Sequence, residues 1–109
     1  MAPPGAFMTV AESTGLVRDI DLRVVEKTFE HITRSGLAGT RIRYFINVSG
    51  VSIADARWPD NLIARIVESP VAPGQLVFEI SESAALADVN ASVAFIRRLR
   101  EIGCRIALD

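Results

Sequence analysis

The segment Gln75-Leu-Val-Phe-Glu-Ile-Ser81 is a run of apolar residues that contains one carboxylate. Aromatic and β-branched residues over this length predict a β-strand, and Pro73-Gly74 before it predicts a turn. Because side chains alternate along a strand, Glu79 would lie on the opposite face from Phe78 and Ile80. A carboxylate in an otherwise apolar strand is costly unless it is paired or coordinating, so Glu79 is a candidate functional residue.

Two similar segments flank this strand along the chain. The first covers residues 41–48 and the second covers residues 104–108, and both are short and rich in β-branched or apolar residues. Both therefore predict strands. In each, one face is apolar and the other ends on an oxygen-bearing side chain, Asn47 in the first segment and Asp109 directly after the second.

Helical periodicity separates the predicted strands. Apolar residues recur at helical spacing over residues 16–35, and Gly36 is a natural terminator. A second helix is predicted to begin at Trp58, and a third to span residues 84–102 with Ser83 as its cap. Helices and strands that alternate in this way predict an α/β fold built from right-handed parallel βαβ units.

Composition limits the class of protein. The chain has 109 residues, 50% hydrophobic and 23% charged, which predicts one small globular domain at most rather than disorder. The 12 basic residues are offset by 13 acidic ones, which argues against a DNA- or RNA-binding module. The single cysteine excludes a disulfide framework. Neither a membrane-spanning stretch nor a signal peptide is recognisable, so we expect a cytoplasmic protein.

Oxygen-bearing side chains gather where the predicted strands end. Parallel sheets place ligands and catalysis at the carboxyl ends of their strands, where Asn47, Glu79, Glu82 and Asp109 would lie. Three hard oxygen donors on adjacent strands suit Mg²⁺, Mn²⁺ or Ca²⁺. The spacing alone leaves a structural interpretation open, in which such residues only cap neighbouring helices.

Several motifs in order resemble the EAL domain family of cyclic di-GMP phosphodiesterases. They are Phe45-Ile-Asn-Val-Ser49, Phe78-Glu-Ile-Ser-Glu-Ser83 and Leu99-Arg-Glu-Ile-Gly-Cys-Arg-Ile-Ala-Leu-Asp109. Upstream, Ala11-Glu-Ser-Thr-Gly-Leu16 and Ile20-Asp21 are also similar to the family. The resemblance covers nearly the whole chain.

The resemblance implies roles for individual residues. Asn47, Glu79 and Asp109 match metal ligands, and Glu82 matches a glutamate that steadies a loop. Ser81 stands where the family usually has threonine, which keeps the hydroxyl. The implied activity is hydrolysis of cyclic di-GMP to linear pGpG, assisted by two divalent cations such as Mg²⁺ or Mn²⁺.

The resemblance also implies which parts lie elsewhere. A complete domain of the family is a TIM-type barrel, and such barrels need about 250 residues. We expect residues 1–109 to form a partial EAL domain, with three parallel strands of a partial TIM-type (β/α) barrel alternating with three helices. The first strand with the Glu-Ala-Leu motif would precede Met1. The C-terminal half, with the catalytic lysine and the general-base glutamate, would follow Asp109.

Two functions are compatible with these residues. The first is a fragment of a cyclic di-GMP phosphodiesterase that is inactive by itself. The alternative is a non-catalytic, degenerate EAL module that signals through protein interactions. Uncovered strand edges predict that the isolated chain forms a homodimer or aggregates.

Two other side chains have competing interpretations. Trp58 would either pack at the start of its helix or, if exposed, stack on a guanine base. Cys104 begins an apolar strand, which favours a buried small hydrophobic residue over a nucleophile.

Overall fold

Three parallel strands form the centre of the fold. The computed structural model describes residues 10–109, with side chains from residue 15 onward. Strands β1 (Tyr44–Asn47), β2 (Leu76–Ile80) and β3 (Arg105–Leu108) form a sheet in the order β1-β2-β3. Both neighbouring pairs are parallel, which confirms the predicted α/β architecture. Each strand is shorter than predicted by one to four residues, with the largest difference at β1, which begins at Tyr44 rather than at Arg41.

Helix α1 (Val10–Arg34) precedes the sheet and is longer than the sequence suggested. It already includes Val10, whereas the periodicity predicted a start at residue 16, after Gly15. Propagating an existing helix adds a hydrogen bond for each residue, so one glycine does not stop it. The predicted end is confirmed, because Gly36 has a φ of 70° and Leu37 N–H donates to the Ile32 carbonyl at 3.0 Å.

Two helices connect β1 to β2. Helix α2 (Gly50–Ala54) was not predicted, because five residues carry no readable period. Helix α3 (Trp58–Glu68) begins at the predicted residue. A 3₁₀ turn over Pro73–Gln75 then leads into β2, at the position of the predicted turn.

The connection from β2 to β3 corrects one prediction. The single helix expected over residues 84–102 is wrong, since α4 (Glu82–Ala87) and α5 (Val89–Glu101) are separate helices. Asp88 interrupts them with extended backbone, and its side chain accepts from the N–H of Ala91 at 3.0 Å. An aspartate that bonds locally competes with the helical ladder in this way.

The cap predicted at Ser83 is also wrong. Ser81 caps α4 by accepting from the N–H of Ala84 at 3.1 Å, and Ser83 lies within the helix. The helical layer between β2 and β3 is nevertheless present, so the alternation of strands and helical segments holds.

The core lies between the sheet and the helices. The predicted apolar strand face is buried over most of its length, at Ile46, Val48, Leu76, Phe78, Ile80 and Cys104. Leu108 departs from this pattern and is 63% exposed. No helix in residues 10–109 is long and apolar enough to cross a membrane.

Trp58 belongs to this core. It is 3% exposed, and its indole N–H donates to the carbonyl of Arg18 at 3.1 Å. Its ring also packs on Phe95, with centroids 6.2 Å apart. The prediction that it packs at the start of a helix is confirmed, and its burial excludes the base-stacking alternative.

Candidate functional site

Asn47 and Glu79 lie side by side at the carboxyl ends of β1 and β2. They are register partners in the parallel pair, so their side chains leave the same face of the sheet. Neighbouring strands are about 4.8 Å apart, which places the two residues within reach of one small ligand. Asn47 is exposed and Glu79 is half-buried.

Asp109 lies further along the same edge. Glu79 pairs with Ala107 of β3, and Asp109 follows two residues later, at a position that alternation assigns to the same face. Its N–H donates to the carbonyl of Ile80 at 3.1 Å, which extends the ladder between the strands past the end of β3. Asp109 is exposed.

The donor chemistry of these three residues fits a hard divalent cation. Within the described part of the chain, no hydrogen bond or ion pair involves the carboxylate of Glu79. A carboxylate without such a partner keeps both oxygens available to a hard divalent cation. No group of three or more His, Cys, Asp or Glu residues gathers around a common point among the side chains described, from residue 15 onward. The oxygen donors that the described chain offers at this edge are thus the amide of Asn47 and the carboxylates of Glu79 and Asp109.

The strand-end polar residues divide into two groups. Ser49 caps α2 by accepting from the N–H of Ser52 at 3.2 Å, and Ser81 caps α4. The capping interpretation therefore applies to these serines. Asn47 and Glu79 cap none of the described helices, which leaves their oxygens free for a ligand.

Glu82 is the first residue of α4 and is exposed. A carboxylate in the first turn of a helix interacts favourably with the positive end of the helix dipole. Glu82 therefore lies directly beyond the end of β2, close in sequence to Glu79 but on a different element.

Sequence reasoning missed a cluster of hydrogen bonds behind the site. The carboxylate of Asp21 on α1 accepts from the N–H and hydroxyl of Ser49 and from the hydroxyl of Ser52. These partners are 28 and 31 residues away along the chain, so no local pattern could indicate them. The only signal was the occurrence of Asp21 in one of the motifs that resemble the EAL family.

Asp55 is a second acidic residue with a defined environment. Its carboxylate accepts from the backbone N–H groups of Arg57 at 3.0 Å and Trp58 at 2.8 Å. These two bonds, aided by the guanidinium of Arg18 at 3.4 Å, hold the pKa of Asp55 below its usual value of 3.8. Asp55 therefore fixes the junction between α2 and α3.

Comparison with known proteins identifies the class to which this sheet and its strand-end residues belong. The family profile of the EAL domain matches residues 1–109. The chain belongs to the EAL domain family. It is 33% identical over 106 residues to the cyclic di-GMP phosphodiesterase PdeF of Escherichia coli K12, a match that covers 97% of this chain and 14% of PdeF.

Solved structures agree with this assignment. The PaMucR phosphodiesterase in complex with c-di-GMP superimposes with a TM-score of 0.76 at 29% identity, covering 97% of this chain and 46% of that one. The FimX EAL domain from Pseudomonas aeruginosa, bound to c-di-GMP, has a TM-score of 0.77 at 23% identity over 99% of this chain and 43% of that one, and it supports the fold alone.

These comparisons confirm the family resemblance and the TIM-barrel type of fold. EAL phosphodiesterases are metal-dependent enzymes. The chain spans about 14% of the length of PdeF and less than half of the solved EAL chains it matches.

Proposed function

We propose that this chain is part of a metal-dependent phosphodiesterase that hydrolyses cyclic di-GMP to linear pGpG. The observation that carries the proposal is the pairing of Asn47 with Glu79 at the carboxyl ends of adjacent parallel strands. Both are placed where an α/β sheet binds ligands, and neither caps a described helix. Membership of the EAL family supplies the reaction class.

Asn47, Glu79 and Asp109 are the proposed ligands of Mg²⁺ or Mn²⁺. Divalent cations at such a site supply an activated water and neutralise charge on a phosphodiester. The role of these residues is to hold the cation at the end of the sheet. Half-burial of Glu79 strengthens its attraction for a cation, since water screens the interaction less there. In the absence of a cation, Glu79 and Asp109 would repel an anionic substrate.

Glu82 is proposed to steady a loop rather than to bind metal. Its place at the start of α4 puts it beyond the sheet edge, where it can accept hydrogen bonds from a neighbouring connection. The other reactive groups of the family, including the lysine and the general base, would come from segments outside this sequence. Residues 1–109 are thus proposed as a partial EAL domain without turnover of its own.

The setting of the protein is part of the proposal. Relatives from Escherichia coli and Pseudomonas aeruginosa support a role in bacterial signal transduction, and a single buried thiol suits the reducing cytoplasm. Phe45 on the open sheet face and Leu108 at the sheet edge are each 63% exposed, which supports self-association of the isolated chain. Sedimentation velocity showing a stable monomer would contradict this last point.

The test of the activity uses the full-length polypeptide that carries this sequence. Hydrolysis of cyclic di-GMP is followed by chromatography with Mg²⁺ or Mn²⁺, in the wild type and in Glu79→Gln, which keeps the side-chain shape and removes the charge. We expect Glu79→Gln to lose at least about 100-fold in turnover, because altering even outer-shell residues lowers activity about 10- to 100-fold. Glu101→Gln is the matched control, since Glu101 is exposed at the end of α5, and its turnover should be unchanged.

Each outcome has a defined meaning. Metal-dependent turnover that survives Glu79→Gln would refute the ligand assignment. Binding of cyclic di-GMP without turnover by the wild type would refute the enzymatic proposal and support the non-catalytic EAL module. Turnover by the 109-residue chain alone would refute the proposal that it is inert.

A further inference from the structure

The carboxylate of Asp21 joins helix α1 to the turn between β1 and α2. Its Oδ2 atom accepts from Ser49 Oγ at 2.6 Å, from Ser52 Oγ at 2.7 Å and from the N–H of Ser49 at 3.1 Å. Hydrogen bonds to an ionised acceptor are among the stronger ones in proteins. Asp21 is half-buried and Ser52 is completely buried, so water competes little for these bonds.

This turn directly follows the proposed metal ligand Asn47. Val48, which lies between Asn47 and Ser49, is buried, and its N–H donates to the carbonyl of Glu79 at 3.0 Å. The backbone around Asn47 is therefore held from two sides. The partner on one side is the second proposed ligand, Glu79, and the partner on the other side is Asp21.

We propose that Asp21 is a positioning residue for the metal centre. By fixing Ser49 it sets where β1 ends and how the backbone at Asn47 is oriented towards Glu79. Asp21 itself lies on α1 and has no place among the proposed ligands. The inference rests on the proposed function, because it assumes that Asn47 and Glu79 bind the cation.

A second contact between α1 and the segment that follows β1 provides a control. One turn before Asp21, the carbonyl of Arg18 accepts from the indole of Trp58. Trp58 is eleven residues beyond Asn47, at the start of α3. Trp58→Phe removes this hydrogen bond and loosens the same helix without touching the turn at Ser49.

The experiment measures Mn²⁺ affinity by electron paramagnetic resonance in the full-length polypeptide that carries this sequence. The variants are Asp21→Ala, Asp21→Asn and the controls Asp19→Ala and Trp58→Phe. Asp19 is exposed on the same helix, so its replacement removes the same charge and none of the described contacts. Urea unfolding of each variant reports on stability separately.

Asp21→Ala is expected to weaken Mn²⁺ binding about tenfold, the lower range for residues that orient metal ligands. The Mn²⁺ concentration for half-maximal hydrolysis should rise equally, and kcat at saturating Mn²⁺ should stay near the wild-type value. Asp21→Asn should restore most of the affinity, because its amide oxygen still accepts from Ser49. Asp19→Ala and Trp58→Phe should bind Mn²⁺ like the wild type, although Trp58→Phe should unfold at lower urea.

Wild-type Mn²⁺ affinity in a folded Asp21→Ala variant would overturn the proposal. So would an equal loss of affinity in Trp58→Phe, since any loosening of α1 would then suffice. If Asp21→Ala does not fold, Ser52→Ala tests the proposal in its place. This substitution removes one of the three hydrogen bonds to Asp21 and should weaken Mn²⁺ binding by a smaller factor. A wild type that binds no Mn²⁺ and does not hydrolyse cyclic di-GMP overturns the proposed function as well. An active wild type, together with an Asp21→Ala variant that needs no more Mn²⁺ for half-maximal hydrolysis, overturns only the role of Asp21.

Discussion

Gln75 joins the loop between α1 and β1 to the turn before β2 through one buried amide. This residue is 3% exposed and ends the 3₁₀ turn directly before β2. The amide oxygen accepts from the N–H groups of Gly39 at 2.8 Å and Ala72 at 3.2 Å. The amide nitrogen donates to the carbonyls of Leu37 and Ile42, each at 2.9 Å. We therefore expect Gln75→Met, which keeps the length of the side chain, to destabilise the loop between α1 and β1 and with it the sheet.

The size of the loss follows from these bonds. A hydrogen bond contributes about 1 kcal/mol net, so the three shortest ones, to Gly39, Leu37 and Ile42, together contribute about 3 kcal/mol. The loop is largely exposed, so its backbone groups can bind water after the change and no further penalty is added. A small domain is stable by about 5–15 kcal/mol, so this loss is a large fraction of the total.

Urea unfolding followed by circular dichroism of the full-length polypeptide measures this loss. Asn61→Ala is the control, because Asn61 is an exposed amide on α3, and its replacement should change stability by less than about 0.5 kcal/mol. Gln75→Glu separates hydrogen bonding from shape. A carboxylate cannot donate to Leu37 and Ile42, so this variant should be no more stable than Gln75→Met at neutral pH. A loss below about 1 kcal/mol in Gln75→Met would refute the reasoning, since it would mean less than one net hydrogen bond.

Two further predictions concern titratable groups. Because the pKa of Asp55 is lowered, its carboxylate stabilises the native state fully above pH 3.8, and this contribution is lost as the pH falls through the native pKa. Asp55→Asn should therefore be less stable than the wild type near neutral pH, and the difference in free energy of unfolding should shrink in acid. A difference that stays constant in urea titrations down to acid pH would contradict this prediction. Burial raises the pKa of the Cys104 thiol from 9.0 to about 11, so the unfolded thiol ionises first and stability should fall between these pH values. Cys104→Ala should remove that part of the alkaline loss, and a thiol reagent that labels native Cys104 as fast as a free thiol would refute its burial.

Local patterns in the sequence were sufficient for the strands and for the family. The alternation along β2 depends only on neighbouring residues, and it correctly separated Glu79 from the buried Phe78 and Ile80. Strand ends in a parallel sheet meet at one edge, so the juxtaposition of Asn47 and Glu79 was also predictable. The motifs around these residues were specific enough to indicate the EAL family.

The helical connections were less predictable, because local capping and tertiary packing compete there. Helix α2 is too short to show a period, and Asp88 begins the new helix α5 through a single side-chain bond to Ala91 that an uninterrupted apolar stripe concealed. Helix α1 likewise continues through Gly15 to Val10, although glycine is unfavourable in a helix interior.

By itself, the sequence determined the alternation of strands with helical connections, the apolar face of β1 and β2, and the residues offered at the strand ends. Only the tertiary structure decided how those residues are held. Asp21 reaches Ser49 across 28 residues, and Gln75 reaches Gly39 across 36. Contacts over such separations leave no periodic trace in the chain, because they depend on how helices and strands pack in three dimensions.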